Sequence, residues 1–292
     1  MKEGIVIKGI GGFYYVRTDD GIYTCKAKGT FKKDKNILYV GDYVKIRIVD
    51  EEEKEGFVEE IRERKNVTIR PPVANIDRMI IISAVADPLP DTVFIDKMLA
   101  LCEHNNIEPY LCFNKIDLTD DLSIADNYEK IGYIVIRTSA VNEIGVSYLK
   151  ELLCDGITAV AGFSGVGKST LISSITNLNL KTGKVSEKIS RGKHTTRHVE
   201  LFEVENGKFF ADTPGFSSLE IDEIRKEELS SLFIEFRDYT DLCRFKDCSH
   251  TKERDCGVIN AVRNGEILKS RHDNYVMFYD KLKLINDWER EK

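Results

Sequence analysis

The chain opens on five short runs in which apolar and polar residues alternate: Gly4–Lys8, Phe13–Thr18, Ile22–Lys28, Asp42–Val49 and Phe57–Ile61. A period of two is that of a strand with one buried face. Asp19-Asp20-Gly21, between the second and third runs, is a hairpin signal. Five such strands in residues 1–66 predict a small closed barrel of the OB kind. An SH3-like barrel satisfies the same pattern. Asp50–Glu55 reads as a solvated loop, and Arg70-Pro71-Pro72 as a linker.

Beyond the linker the pattern changes to apolar runs at Arg78–Val85, Tyr110–Phe113, Tyr133–Arg137 and Thr158–Ala161, with helical spacing at Val93–Asn105 and Val146–Leu153. Such alternation predicts a mostly parallel sheet covered by helices, over residues 73–225. Val199–Val204 and Lys208–Ala211, joined through Asn206-Gly207, add a hairpin. From residue 226 to 292 the period is helical: Leu229, Leu232, Phe233 and Phe236 form one set, and Tyr275, Phe278, Leu282 and Ile285 another. The expected fold is therefore multidomain α/β: barrel, sheet domain and helical domain.

Composition narrows the class. With 292 residues, 42% hydrophobic and 32% charged, the chain can bury two or three cores. No apolar run is long enough to span a bilayer, and the first residues carry no secretory pattern, so a cytoplasmic protein without a membrane partner is expected. Net charge is −6, which alone opposes a general grip on a phosphate backbone. The charge is uneven, however: 15 Lys/Arg stand against 13 Asp/Glu in residues 1–72, 15 against 22 in 73–225, and 13 against 14 in 226–292.

Gly162-Phe163-Ser164-Gly165-Val166-Gly167-Lys168-Ser169 fits G-x-x-x-x-G-K-[ST] between a strand and a helix over Ser169–Thr176, which is the context a P-loop requires. Backbone N–H groups of this segment, continued by Thr170, turn inward around phosphates; Lys168 reaches the β- and γ-phosphates and Ser169 ligates Mg²⁺. Asp212-Thr213-Pro214-Gly215, at the end of another strand, places a carboxylate in the Mg²⁺ shell and the Gly215 N–H at a γ-phosphate. Asn114-Lys115-Ile116-Asp117 follows an apolar strand. One carboxylate, Asp117, can accept from N1–H and N2–H₂ of guanine, a donor pair adenine lacks. Lys115 can cover the purine, and the Thr138-Ser139-Ala140 segment can present a backbone N–H to the guanine oxygen. Ser190-Arg191-Gly192-Lys193-His194-Thr195-Thr196-Arg197 occupies a switch position, where Thr196, or alternatively Thr195, completes the metal shell.

Cys243-x₄-Cys248-x-His250-x₅-Cys256 offers three thiolates and an imidazole, the donor set of a closed structural Zn²⁺ site. The other four cysteines lie singly in apolar surroundings and are expected to be reduced core thiols.

The motif order is N-K-I-D, T-S-A, P-loop, switch, D-T-P-G, a circular permutation of the usual GTPase order. With a barrel before it and a Cys/His cluster after it, the chain resembles the bacterial ribosome small-subunit-dependent GTPase A family along essentially its whole length. The resemblance implies an OB barrel, a permuted GTPase domain and a helical zinc domain. It also implies GTP hydrolysis stimulated by the small ribosomal subunit during late maturation. Phe216 follows Gly215 where many GTPases carry a water-orienting glutamine, and a phenyl ring cannot hold that water. His194 is the nearest polar candidate, and the resemblance points to the same residue; an ordinary solvent-exposed loop histidine is the alternative.

Ten Lys/Arg against five Asp/Glu in residues 1–48, including Lys26, Lys28, Lys32, Lys33 and Lys35, suit contact with rRNA. Phe13, Tyr14, Tyr15, Tyr23 and Phe31 offer stacking surfaces or barrel core. Arg244, Lys246, Lys252 and Arg254 around the zinc ligands offer a second contact. The expected species is a monomer that binds GTP or GDP, Mg²⁺ and one Zn²⁺, with the small subunit and its rRNA as partner. The rivals are a signalling GTPase with a protein partner and an RNA-binding protein that holds GTP without hydrolysing it.

Overall fold

A computed structural model describes residues 1–28, 37–69, 71–153, 155–176, 199–205, 207–212 and 220–285. The alternating N-terminal runs form β1 (Lys2–Ile10), β2 (Phe13–Thr18), β3 (Gly21–Ala27), β4 (Tyr43–Asp50) and β5 (Glu55–Ile61). Their order, β1-β2-β3-β5-β4, closes through an antiparallel β1–β4 pair, and β3 runs parallel to β5. That closure is the OB arrangement and sets aside the SH3-like alternative. Val6, Val16, Tyr23, Cys25, Val44, Ile46 and Val58 fill the barrel. Tyr23 is 1% exposed and so is core, not a stacking surface, whereas Phe13 is 40% exposed beneath the Lys26 ammonium.

The expected linker is an ordered element. β6 (Val67–Ile69) and β7 (Pro72–Ala74) form a hairpin, and Val73 and Ala74 are buried. The Ala74 N–H donates to the Val40 carbonyl at 2.9 Å, and Asn75 Nδ2 donates to the Gly41 carbonyl at 2.9 Å. Two prolines read as spacer composition, but the apolar residues after them give the segment a core to join. Arg70 lies outside the described residues.

The sheet domain comprises β8 (Ile76–Ala84), α1 (Thr92–His104), β9 (Glu108–Asn114), α2 (Ser123–Ile131), β10 (Ile134–Arg137), α3 (Val146–Glu151), β11 (Gly156–Ala161), α4 (Lys168–Thr176), β12 (Glu200–Glu205) and β13 (Lys208–Asp212). Strand order is β10-β9-β8-β11-β13-β12; the first five are parallel and β12 is antiparallel. In β8, Met79 and Ile81 face one core while Ile80 and Ile82 face the other, which is why this strand reads as a continuous apolar run. Helix α2 escaped the sequence pattern because it buries only Ala125 and Tyr128. β12 also pairs with β1, through Lys8 and Glu200, so barrel and sheet domain share one 11-stranded sheet.

The C-terminal part is helical, with one correction. Leu229–Phe236 is not a single α-helix but two 3₁₀ turns, Leu229–Leu232 and Ile234–Phe236, separated at the extended Phe233. Phe233 and Phe236 are both fully buried, and the break turns both rings into the core. α5 (Arg237–Thr240), α6 (Gly257–Asn264) and α7 (Lys269–Lys283) follow. α7 packs on α1 through Arg271, which is 1% exposed. Its guanidinium donates to Asp96 at 2.8 Å and to both Glu235 oxygens at 2.7 and 2.9 Å. Asp96 also accepts from Tyr128 and Asn274, each at 2.6 Å. Burial alone would lower the Arg271 pKa; Asp96 and Glu235 outweigh it and keep the guanidinium charged.

Candidate nucleotide and metal sites

The carboxyl ends of β8, β9, β10, β11 and β13 emerge side by side, the edge where parallel sheets bind ligands. β11 runs into the loop 162–167 and α4 begins at Lys168, so strand, glycine-rich turn and helix N-terminus follow in the predicted order. Two glycines are required by geometry. A Cβ at Gly162 (φ 155°) would lie 2.4 Å from the Ile82 carbonyl, and one at Gly167 (φ 93°) 2.3 Å from Asn114 Nδ2. Gly165 is also left-handed, at φ 85°. Ser164, Ser169 and Thr170 are exposed along the loop and first helical turn, and Val166 is buried beneath them. Lys168 Nζ donates to the Phe163 carbonyl, folding the cation back over the loop 162–167.

Asn114 ends β9 and is 2% exposed. Its Nδ2 donates to the Val166 carbonyl at 2.9 Å, while its Oδ1 accepts from Thr138 Oγ1 at 3.0 Å and from the Ala140 N–H at 3.2 Å. One amide thus brings the N-K-I-D, T-S-A and P-loop segments together. Lys115 is left-handed (φ 65°) and donates through Nζ to the Asp87 carbonyl. Asp117 sits exposed in the 3₁₀ turn Ile116–Leu118, and the Ile116 N–H donates to the Thr138 carbonyl at 3.2 Å. Ser139 is fully buried, and its hydroxyl accepts from the Asn142 N–H at 3.2 Å.

Asp212 ends β13, whose register with β11 sets Ala211 beside Ala159. The backbone of Asp212 therefore lies at the same edge of the sheet as the loop 162–167. His194, Thr195, Thr196, Gly215 and Phe216 lie outside the described residues. Two elements were not read from the sequence. Loop 85–91 carries Asp87, the partner of Lys115, and Pro88, the nearest neighbour a Gly165 Cβ would meet, at 3.8 Å. The Phe94 ring of α1 packs on Phe163, with centroids 4.4 Å apart. Asp-Pro and a helical Phe carry no signal of that proximity by themselves.

Cys243, Cys248, His250 and Cys256 offer one ligand atom each, all within 4.8 Å of one another. A tetrahedral Zn²⁺, with bonds of about 2.3 Å to sulfur and about 2.0 Å to nitrogen, sets edges of about 3.8 Å between sulfurs and about 3.5 Å between sulfur and nitrogen. Cys243 and Cys256 sulfurs are 3.8 Å apart, and His250 Nδ1 lies 3.5 and 3.4 Å from them. The residues fit the ion. Burial lowers the His250 pKa, favouring the neutral ring that ligates a metal, and pushes the Cys248 thiol up to about 12, so a cation must displace its proton. N–H groups of Gly257 and Ile259 point at the sulfurs of Cys243 and Cys256, at 3.3 and 3.4 Å. Glu253 gathers the Ser249, Thr251 and Lys252 N–H groups and the Ser249 hydroxyl, ordering the loop around the ligands.

The barrel's positive charge is smaller in three dimensions than along the chain. Glu51, Glu59 and Glu60 fold back onto Lys2, Lys28, Lys45 and Arg47. Counted to the end of β5, the barrel carries 11 Lys/Arg against 12 Asp/Glu. Lys32, Lys33, Lys35 and Phe31 lie outside the described residues.

A P-loop motif, an N-K-I-D motif and a parallel sheet in which the N-K-I-D strand precedes the P-loop strand define a GTP-hydrolysing enzyme of circularly permuted type. The chain belongs to the RsgA GTPase family: the RsgA GTPase model matches residues 61–222, and the RsgA N-terminal domain model residues 3–58. The small ribosomal subunit biogenesis GTPase RsgA of Caldanaerobacter subterraneus subsp. tengcongensis is 46% identical over 294 residues, 99% of this chain and 97% of that one. The same-named protein of Alkaliphilus metalliredigens is 44% identical over 287 residues, 97% and 98% of the two chains. Among solved structures, YjeQ from Thermotoga maritima superposes with a TM-score of 0.84 at 37% identity, covering 98% of this chain and 99% of its own. YloQ, described as a circularly permuted GTPase, gives 0.80 at 36% identity, covering 97% and 95%. As a GTPase the protein uses guanine nucleotide and Mg²⁺. Among the described residues no helix is long and apolar enough to cross a membrane.

Proposed function

We propose that this GTPase binds the small ribosomal subunit during its late maturation in the cytoplasm, as a monomer, and hydrolyses GTP faster when bound. The observation that carries this reading is near full-length similarity to proteins named for small-subunit biogenesis, with an OB barrel and a zinc-fitting element flanking the catalytic domain. The three functional parts are residues 1–66, 73–225 and 226–292. rRNA is met by the basic segment around Lys32–Lys35 and by Arg244, Lys246, Lys252 and Arg254 beside the zinc ligands.

In the nucleotide site, Asp117 accepts from guanine N1–H and N2–H₂, Lys115 covers the ring, and Ser139 and Ala140 border the base. Backbone groups from Gly162 to Thr170 cradle the phosphates, and Lys168 neutralises charge on the β- and γ-oxygens. Ser169, Thr196 and Asp212 hold Mg²⁺ directly or through water, and Gly215 senses the γ-phosphate. His194 positions the attacking water in place of the missing glutamine. Cys243, Cys248, His250 and Cys256 hold a structural Zn²⁺. GTP hydrolysis measured with and without purified small subunits, with ATP as control, tests the reading. Turnover unchanged by subunits would overturn it, and stimulation erased by raised salt supports an rRNA contact.

A further inference from the structure

The barrel and the nucleotide-binding sheet meet along one strand pair, and its register singles out one row. Glu200, the first residue of β12, is the Cα partner of Lys8 on β1 and also of Asp212 on β13. Lys8, Glu200 and Asp212 therefore lie side by side across three adjacent strands, joining the barrel to the mouth of the nucleotide site. The Lys8 ammonium and the Glu200 carboxylate are 2.8 Å apart, with side chains 30% and 37% exposed. A second tie lies three residues along β12, on the opposite face of a pleated strand: Arg17 of β2 pairs with Glu203 at 2.6 Å. β12 is thus held from the barrel at two points. In sequence it begins three residues after Arg197, the last of the Ser190–Arg197 segment, and leads through β13 to Asp212.

We propose that Lys8 is a positioning residue for the metal-binding edge of the nucleotide site, acting through Glu200. The ion pair fixes the β12 register against the barrel. β12 in turn fixes the height at which β13 delivers the Asp212 backbone beside the P-loop. Nucleotide-bound Mg²⁺ is thereby coupled to the barrel, a domain outside the nucleotide-binding motifs. The inference rests on the reading that Asp212 serves the Mg²⁺ shell.

The test is a charge swap. Lys8→Glu and Glu200→Lys each place like charges in the row, and the double variant restores the pair in reverse. Binding of a fluorescent GDP is titrated against Mg²⁺ in the full-length protein, with GTP turnover and melting temperature in parallel. Each single variant is expected to raise the Mg²⁺ concentration for half-maximal tightening by about fivefold, the scale of a half-exposed ion pair. The double variant is expected to return it to within about twofold of wild type. Asp212→Asn serves as control. If Asp212→Asn weakens Mg²⁺ dependence while the single swaps leave it unchanged, or the double variant fails to rescue, the inference is overturned and the Asp212 reading stands. If Asp212→Asn has no effect, both fall. Loss of subunit binding in Lys8→Glu, with Mg²⁺ dependence intact, would make Lys8 an RNA contact instead.

Discussion

Asn114 and Val166, 52 residues apart, are joined by a buried 2.9 Å hydrogen bond between the Asn114 amide and the Val166 carbonyl. Because the other end of the same amide holds Thr138 and Ala140, the base side of the site and its phosphate loop are set by one side chain.

Asn114→Ala would leave the Val166 carbonyl and the Thr138 hydroxyl without this partner. Loss of buried, site-organising hydrogen bonds is expected to weaken GDP binding by about 10- to 100-fold, read by fluorescent-nucleotide titration. Unchanged affinity with a lowered melting temperature would mean that the amide supports the fold alone.

Asp117→Asn exchanges an acceptor pair for one acceptor and one donor. GTP affinity is expected to fall by about 100-fold, and xanthosine triphosphate, which presents an oxygen where guanine has its amino group, should be accepted instead. Competition binding with both nucleotides decides it; an unaltered preference for GTP would place base recognition elsewhere.

Cys256 is fully buried, and its sulfur caps α6 by accepting from the Ile259 N–H. Cys256→Ser should abolish zinc by elemental analysis and lower the melting temperature, whereas Cys25→Ser and Cys102→Ser should keep the metal. A strong chelator should reproduce the Cys256→Ser loss.

Arg271→Met removes the cation that faces Asp96 and Glu235 and leaves buried carboxylates uncompensated. The expected cost is about 3–5 kcal/mol by denaturant unfolding. Arg271→Lys should recover only part of it, since an ammonium cannot meet both carboxylates with the planar fork of a guanidinium.

Burial alone would raise the Glu253 carboxyl, but hydrogen bonds from Ser249 and the following backbone outweigh it and hold the group at about 2. Its stabilisation is therefore fully present above the unfolded carboxylate value of about 4.3 and is lost as pH falls through about 2. The group is partly solvated, so the effect is held to about 1 kcal/mol. Glu253→Gln should destabilise the protein at pH 7 by that amount and by less near pH 3; an equal loss at both values would contradict the assignment.

The glycine spacing of the P-loop and the strand-end position of Asn114 were legible because each motif states its own local structure. Five barrel strands were legible from alternation alone. The Asp96–Arg271 clamp was not, since its partners are 175 residues apart and a charged residue on a helix reads as a solvated face. The Leu229–Phe236 spacing misled because i, i+3 and i+4 positions fit a broken 3₁₀ pair as well as an α-helix. The +5 of residues 1–48 misled differently: a window cut before β5 omitted the carboxylates that fold back onto the same strands.

The permuted strand order also sets the sequence in which the motifs of the site are made during synthesis. β8, β9 and β10, with Asn114, Asp117 and Ser139, are the first strands of the sheet domain to be made and can pair as a three-stranded parallel unit. β11 then adds on the free side of β8, bringing the phosphate loop, and β13 adds beside β11. A nascent chain therefore carries the N-K-I-D and T-S-A segments well before it carries the glycine-rich loop. Asp212 arrives last of these, at the end of β13, and by then the barrel's own pairing partner, β12, has also been made.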